Sequence, residues 1–170
     1  MTWPVPVTLS GAIATLEPLR MDHHDGLVDV VNDGELWNLW YTKIPAPAAV
    51  RADIERRLGL QAKGSMLPFV VIDNTSRRVV GSTTYMNIDA EHRRVEIGST
   101  WYAKSVQRTG LNTECKRLLL AHAFETLGCI AVEFRTAFVN FQSRKAIERL
   151  GAKLDGVLRS HQLSANGTLR

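Results

Sequence analysis

Few runs in this chain leave the backbone as little choice as Gln107-Arg108-Thr109-Gly110-Leu111-Asn112-Thr113-Glu114. It lies between a strand-like stretch at residues 95–102 and a helix-like stretch at residues 111–127. A strand, a turn with glycine and a helix opening on polar residues aims backbone N–H groups outward. The first N–H groups of a helix have no partner inside it, and the helix dipole adds partial positive charge there. Such a turn suits a phosphate or diphosphate. Many strand-to-helix turns hold no ligand, so the pattern needs support from the rest of the chain.

At 170 residues the chain is most simply one domain, residues 1–170, large enough to bury a core. A net charge of +4 suits an anionic cofactor. It is too small and too scattered to argue for nucleic acid: basic residues alternate with acids, as in Glu91-His92-Arg93-Arg94-Val95-Glu96. Cys115 and Cys129 fit neither a disulfide framework nor a metal knuckle and read as buried or partly buried free thiols of a reducing, cytoplasmic compartment. Residues 1–10 lack a cationic start and an apolar stretch, so no secretory signal is expected. No apolar run approaches the ~20 residues of a membrane span. No histidine has metal-ligand spacing with another histidine or a cysteine, so no metal is expected.

In chain order, residues 12–19 read as a first strand ended by Pro18. Asp22 is a plausible N-cap for a helix to about residue 31, and residues 35–41 form a short aromatic helix carrying Trp37, Trp40 and Tyr41. Pro45-Ala46-Pro47 opens an amphipathic helix over 48–62 with Val50, Ile54 and Leu58 on one face. Residues 67–73 and 78–86 are strands joined by Asn74-Thr75-Ser76-Arg77, a hairpin signal. With residues 95–102 they make an antiparallel meander. A helix over 111–127 ends at Gly128. A strand over 131–137, a helix over 143–150 and a last strand over 153–163 complete the reading. After that strand, Asn166-Gly167 starts a hairpin whose second strand the sequence lacks. The final strand is therefore expected to show poor order or an unpaired edge.

Three landmarks in order resemble the GNAT superfamily of N-acyltransferases. Gln107, Gly110, Thr113 and Glu114 look like its acyl-CoA signature, Gln/Arg-x-x-Gly-x-Gly/Ala. Asn140-Phe141-Gln142-Ser143 followed by Leu150-Gly151-Ala152 is similar to the second landmark. Leu16-Glu17-Pro18-Leu19-Arg20 resembles the entry strand of the RimJ/RimL-like branch. The resemblance covers residues 12–162. It implies an α+β sandwich: a mixed, mostly antiparallel central sheet flanked by helices and splayed at the acyl-CoA site, here with the last strand in question. Two residues depart from the signature: Asn112 replaces a small residue, and Arg108 stands where glycine is common.

The resemblance also implies roles. Acetyl-CoA or a related acyl-CoA would be gripped by Gln107, Arg108, Thr109, Gly110, Leu111, Asn112 and Thr113. Its peptide-like arm would pair with the strand edge at Ser99, Thr100 and Trp101, and Asn140 and Lys145 would add contacts. Glu96 is the candidate base, with a surface ion pair to Arg94 or a sheet neighbour as the alternative. Ser143, which takes the place of a missing tyrosine, is the candidate proton donor, or the cap of its helix, or both. Trp37, Trp40, Tyr41 and His161 are candidates for the acceptor site, with His161 a second candidate base; packing against the sheet competes for the aromatics, and a surface position for His161. The activity implied is acetyl transfer to a primary amine, of a small molecule or a protein N-terminus, by direct transfer in a ternary complex. The alternatives are a catalytically weak CoA-binding or regulatory protein and a succinyl-CoA-type acyltransferase. No nucleic acid or membrane partner is expected; homodimerisation stays open.

Overall fold

The computed structural model describes residues 3–164 and 167–169. The β-branched and aromatic stretches assemble into one six-stranded sheet ordered β1-β2-β3-β4-β5-β6. Its strands are β1 at Leu9–Ser10, β2 at Ala14–Pro18, β3 at Met66–Asp73, β4 at Val79–Asp89, β5 at Arg94–Tyr102 and β6 at Ala131–Glu133. Neighbours pair antiparallel through β5, and β6 lies parallel to β5. The described residues form four α-helices, α1 at His24–Asn32, α2 at Val50–Ala62, α3 at Leu111–Ala121 and α4 at Phe141–Arg149, of which the first three pack on the sheet. This is the α+β class that the sequence implied.

Alternation along the strands divides the apolar residues between two cores. Leu16, Phe69, Val71, Tyr85, Val95 and Ile97 face the α3 stripe of Leu111, Cys115 and Leu119. Val70 and Trp101 face Leu27, Val30 and Val31 of α1 and Val50 and Ile54 of α2. Each large apolar side chain buried this way stabilises by about 1.5–3 kcal/mol. The loop at 74–77 turns with Arg77 at φ 59°, while Asp73 accepts the Ser76 N–H at 2.8 Å.

Several elements differ from the sequence reading. The helix over 111–127 is α-helical only to Ala121 and then widens to a π turn at His122–Thr126, before Gly128 (φ 64°) ends it. The stacked Tyr85–His122 rings, and the bond from Tyr85 Oη to the Leu119 carbonyl at 2.5 Å, occupy the core face at that widening. Asp22 caps nothing: it lies inside a 3-10 turn, Met21–His23, that leads into α1. The aromatic helix at 35–41 is a single 3-10 turn, Leu36–Asn38. The strand expected over 131–137 stops at Glu133. Residues 153–162 form no strand; only a single bridge, Leu163 to Leu169, follows. With no strand beside it among the described residues, the stretch has no partner for its backbone groups and gains nothing by extending. Asn166 lies outside the described residues. No helix among the described residues is long and apolar enough to cross a membrane.

Candidate functional site

The site begins where two strands part. β6 pairs with β5 only at Arg94, Val95 and Glu96, opposite Ala131, Val132 and Glu133. Beyond Glu96 the edge of β5, residues 97–102, has no strand beside it among the described residues. On its other side β5 carries a bulge: Ser82 pairs with Trp101 and Thr84 with Gly98, so β5 holds one residue more than β4 over this span. Ser99, at φ 48°, absorbs the extra residue. The bulge exchanges faces. Val95 and Ile97 look to the α3 side; after it Tyr102 does so, and Trp101 turns to the α1–α2 side.

The chain leaves β5 through a 3-10 turn, Lys104–Val106, and enters α3 at Gly110. Gln107 Nε2 donates to the Tyr102 carbonyl at 3.0 Å, tying the turn to the strand end. Arg108 adopts φ 60°. Thr109 Oγ1 accepts the Leu111 N–H at 3.3 Å, and the Glu114 N–H reaches the Gly110 carbonyl. The N–H groups of Gly110, Asn112 and Thr113 have no acceptor among the described residues. Arg149 of α4 donates to Thr113 Oγ1 at 2.9 Å, which brings a guanidinium beside this helix start. Glu114 serves the scaffold: its carboxylate accepts the N–H groups of Ala12, Ile13 and Ala14 at 3.0, 2.6 and 2.7 Å. It thereby pins α3 to the β1–β2 turn.

Glu96 is buried, and its ion-pair partner is Arg135 rather than Arg94, which pairs with Glu133. Its Oε2 accepts Arg135 Nε at 2.8 Å, Arg135 Nη2 at 2.5 Å and Asn87 Nδ2 at 2.7 Å. Oε1 makes no hydrogen bond among the described residues and lies on the Gly98 side, where a Cβ on that glycine would stand 3.3 Å away. His161 Nε2 accepts from Arg135 Nη1 at 3.2 Å, so a residue of the C-terminal coil joins the same cluster.

Asn140, not Ser143, caps α4: its Oδ1 accepts the Ser143 N–H at 3.1 Å. Ser143 sits half-buried in the first turn, and Lys145 is exposed. Trp37 packs against the α1–α2 core. Trp40 is exposed and meets Tyr41 edge-on at 5.7 Å.

Arg135, Asn87, Arg149 and Lys116 carry contacts at or near the opening that the sequence reading passed over. Asn87 was reachable: once Met86 is set opposite Glu96, its neighbour lies within reach of that carboxylate. Lys116 gave no local sign, because the helical stripe centres on Cys115 and leaves its neighbour at the margin. A shallow groove of about 410 Å³ between α3 and α4, lined by Thr113, Arg117, Leu120, Phe124 and Leu150, opens beside the same helix start.

Comparison with known proteins agrees with this geometry. The acetyltransferase (GNAT) domain family model matches residues 14–153. None of the proteins of curated function matches the sequence. A solved structure from T. thermophilus, assigned provisionally as an acetyltransferase, is 30% identical over 99% of this chain and 87% of its own, with TM-score 0.85. A GCN5-related N-acetyltransferase from Brucella melitensis is 29% identical over 98% of this chain and 76% of its own, with TM-score 0.82. RimL, a ribosomal L7/L12 α-N-protein acetyltransferase solved with coenzyme A, shares the fold at TM-score 0.79 with 14% identity, over 96% of this chain and 93% of its own. With a family model spanning most of its length, seated on a splayed strand pair and a helix start with free amides, this chain belongs to the GNAT acetyltransferase family.

Proposed function

We propose that this protein moves an acetyl group from acetyl-CoA to a primary amine, by direct transfer in a ternary complex. One observation carries the reading: among the described residues, the β5 edge beyond Glu96 has no strand beside it and runs directly into a turn whose Gly110, Asn112 and Thr113 N–H groups have no acceptor. An acyl-CoA has the two parts this surface suits, a peptide-like arm for a strand edge and a diphosphate for a helix start. Ser99, Thr100 and Trp101 would border the arm. Gln107, Arg108, Thr109, Gly110, Leu111, Asn112 and Thr113 would surround the diphosphate, with Asn140, Lys145 and Arg149 alongside. When bound, the coenzyme supplies the activated thioester.

The residues of the chain do the rest. A backbone N–H of β5 can donate to the developing oxyanion, a contribution of about 3 kcal/mol. Glu96 takes the amine proton through Oε1, directly or through one water, because Arg135 and Asn87 hold Oε2 in place. Ser143 donates a proton to the departing thiolate. His161 orients Arg135 and borders the acceptor, with Trp37, Trp40 and Tyr41 on the other wall. RimL is named for acetylating a protein α-amino group, and a protein N-terminus heads the acceptor candidates here.

The test mixes protein, acetyl-CoA and a thiol reagent with a panel of small amines and N-terminal peptides. Release of free CoA that requires both protein and amine supports the reading. If calorimetry finds no coenzyme A binding, the site assignment is wrong. Binding without release toward any amine would favour the CoA-binding, non-catalytic alternative.

A further inference from the structure

Between α3 and the sheet, three polar side chains close a triangle in apolar surroundings. Lys116 Nζ donates to Thr100 Oγ1 at 2.6 Å and to Thr83 Oγ1 at 3.2 Å, and the two hydroxyls stand 2.8 Å apart. Lys116 and Thr83 are buried, and Thr100 is half-buried. Thr83 is the β4 residue opposite the bulge, and Thr100 is the first β5 residue after Ser99. The amine therefore grips both sides of the irregularity that shapes the open strand edge.

An ammonium taken out of water is costly unless a counter-charge faces it. Here none does. Glu114 of α3 gives its carboxylate to the 12–14 turn, and Cys115 of α3 is kept protonated by burial. Tyr102 of β5 and Tyr85 of β4 are likewise kept protonated by burial. Burial pulls the Lys116 ammonium down to about 7, so both protonation forms coexist near neutrality. The ammonium offers three donors and a charge; the neutral amine offers two donors and a lone pair, so the threonine hydroxyls must reorient between the two.

We propose that Lys116 is a positioning residue: through Thr83 and Thr100 it holds the β5 bulge, and its proton sets the environment of the strand amides that border the opening. The consequence for catalysis rests on the acyl-transfer reading above; the clamp itself does not. Two readouts keep the two apart. In ¹⁵N-labelled full-length protein, the amides of residues 98–102 should shift across neutrality with one shared midpoint near 7. Lys116→Met and Thr100→Val should abolish that shared midpoint, while Thr100→Ser, which keeps the hydroxyl, should retain it. With acetyl-CoA and a reactive amine, kcat should fall about ten-fold or more in Lys116→Met and Thr100→Val and should be largely kept in Thr100→Ser. The pH profile should lose the limb at the same midpoint. Should Lys116→Met fail to fold, Thr100→Val decides. Amides that stay still across neutrality, or that move alike in wild type and variants, overturn the clamp. If wild type turns over no amine yet shows the midpoint, the transfer reading fails and the clamp stands.

Discussion

At the scale of single residues, the site turns on how Glu96 is held. Its Oε2 already accepts three hydrogen bonds, two from Arg135 and one from Asn87, and Oε1 is the oxygen left to act. Glu96→Gln keeps the shape and removes the proposed base, so kcat should fall by about 10²–10³-fold. Calorimetry should find coenzyme A affinity nearly unchanged, since the free amides of α3 lie on another element. A loss of CoA binding in that variant would mean that Glu96 serves architecture instead. The sequence offered Glu96 as a candidate because it sits on the strand leading to the Gly110 turn. It could not offer Arg135, whose distance of 39 positions along the chain is closed only when β6 lies down beside β5.

At the scale of elements, α3 is anchored at Glu114 and left open at its start. Glu114 takes three backbone N–H groups of the β1–β2 turn. Glu114→Ala would strand those donors near the core, and urea denaturation should show a loss of about 3 kcal/mol or more. The open part is the first turn. Asn112→Pro removes one N–H within the first turn of α3, where that amide has no partner inside the helix. Calorimetry should then show coenzyme A binding weakened by about ten-fold or more, the worth of one hydrogen bond to a charged group. Far-ultraviolet circular dichroism should keep its helical signal. These elements were largely legible, because the Gly110 turn, the Gly128 stop and the apolar stripe of Leu111, Cys115 and Leu119 are local signals. The end of the chain was not. Residues 153–163 look like a strand by composition, yet a strand needs a neighbour and they form none.

At the scale of the whole molecule, buried ionisable groups shape stability against pH. Lys116 binds its proton near 7 when folded but near 10.5 when free, so between those values the unfolded chain holds more protons. Stability should therefore rise with pH above about 7, approaching ~1.4 kcal/mol per pH unit. Cys115 runs the other way: burial lifts its thiol from 9.0 to about 11, so the unfolded chain loses that proton first, which offsets the Lys116 climb above about 9. Burial of His23 and His122 lowers both, adding a further loss below their free value of 6.5. Urea midpoints measured across this range should peak on the alkaline side, and Lys116→Met should erase the climb above neutrality.

The amino-acid order alone determined where most strands and helices form, that a turn with free amides would open α3, and the family these features mark. Periodicity, glycine turns and helix starts act over a few residues, so they can be read without knowing the neighbours. Only the tertiary structure decided that Glu96 would answer to Arg135, that Lys116 would be buried against two threonines, and that β6 would leave β5 after three residues. Those outcomes depend on which distant groups share a dry interior, where an unmet charge or hydrogen bond is costly and packing chooses the partner.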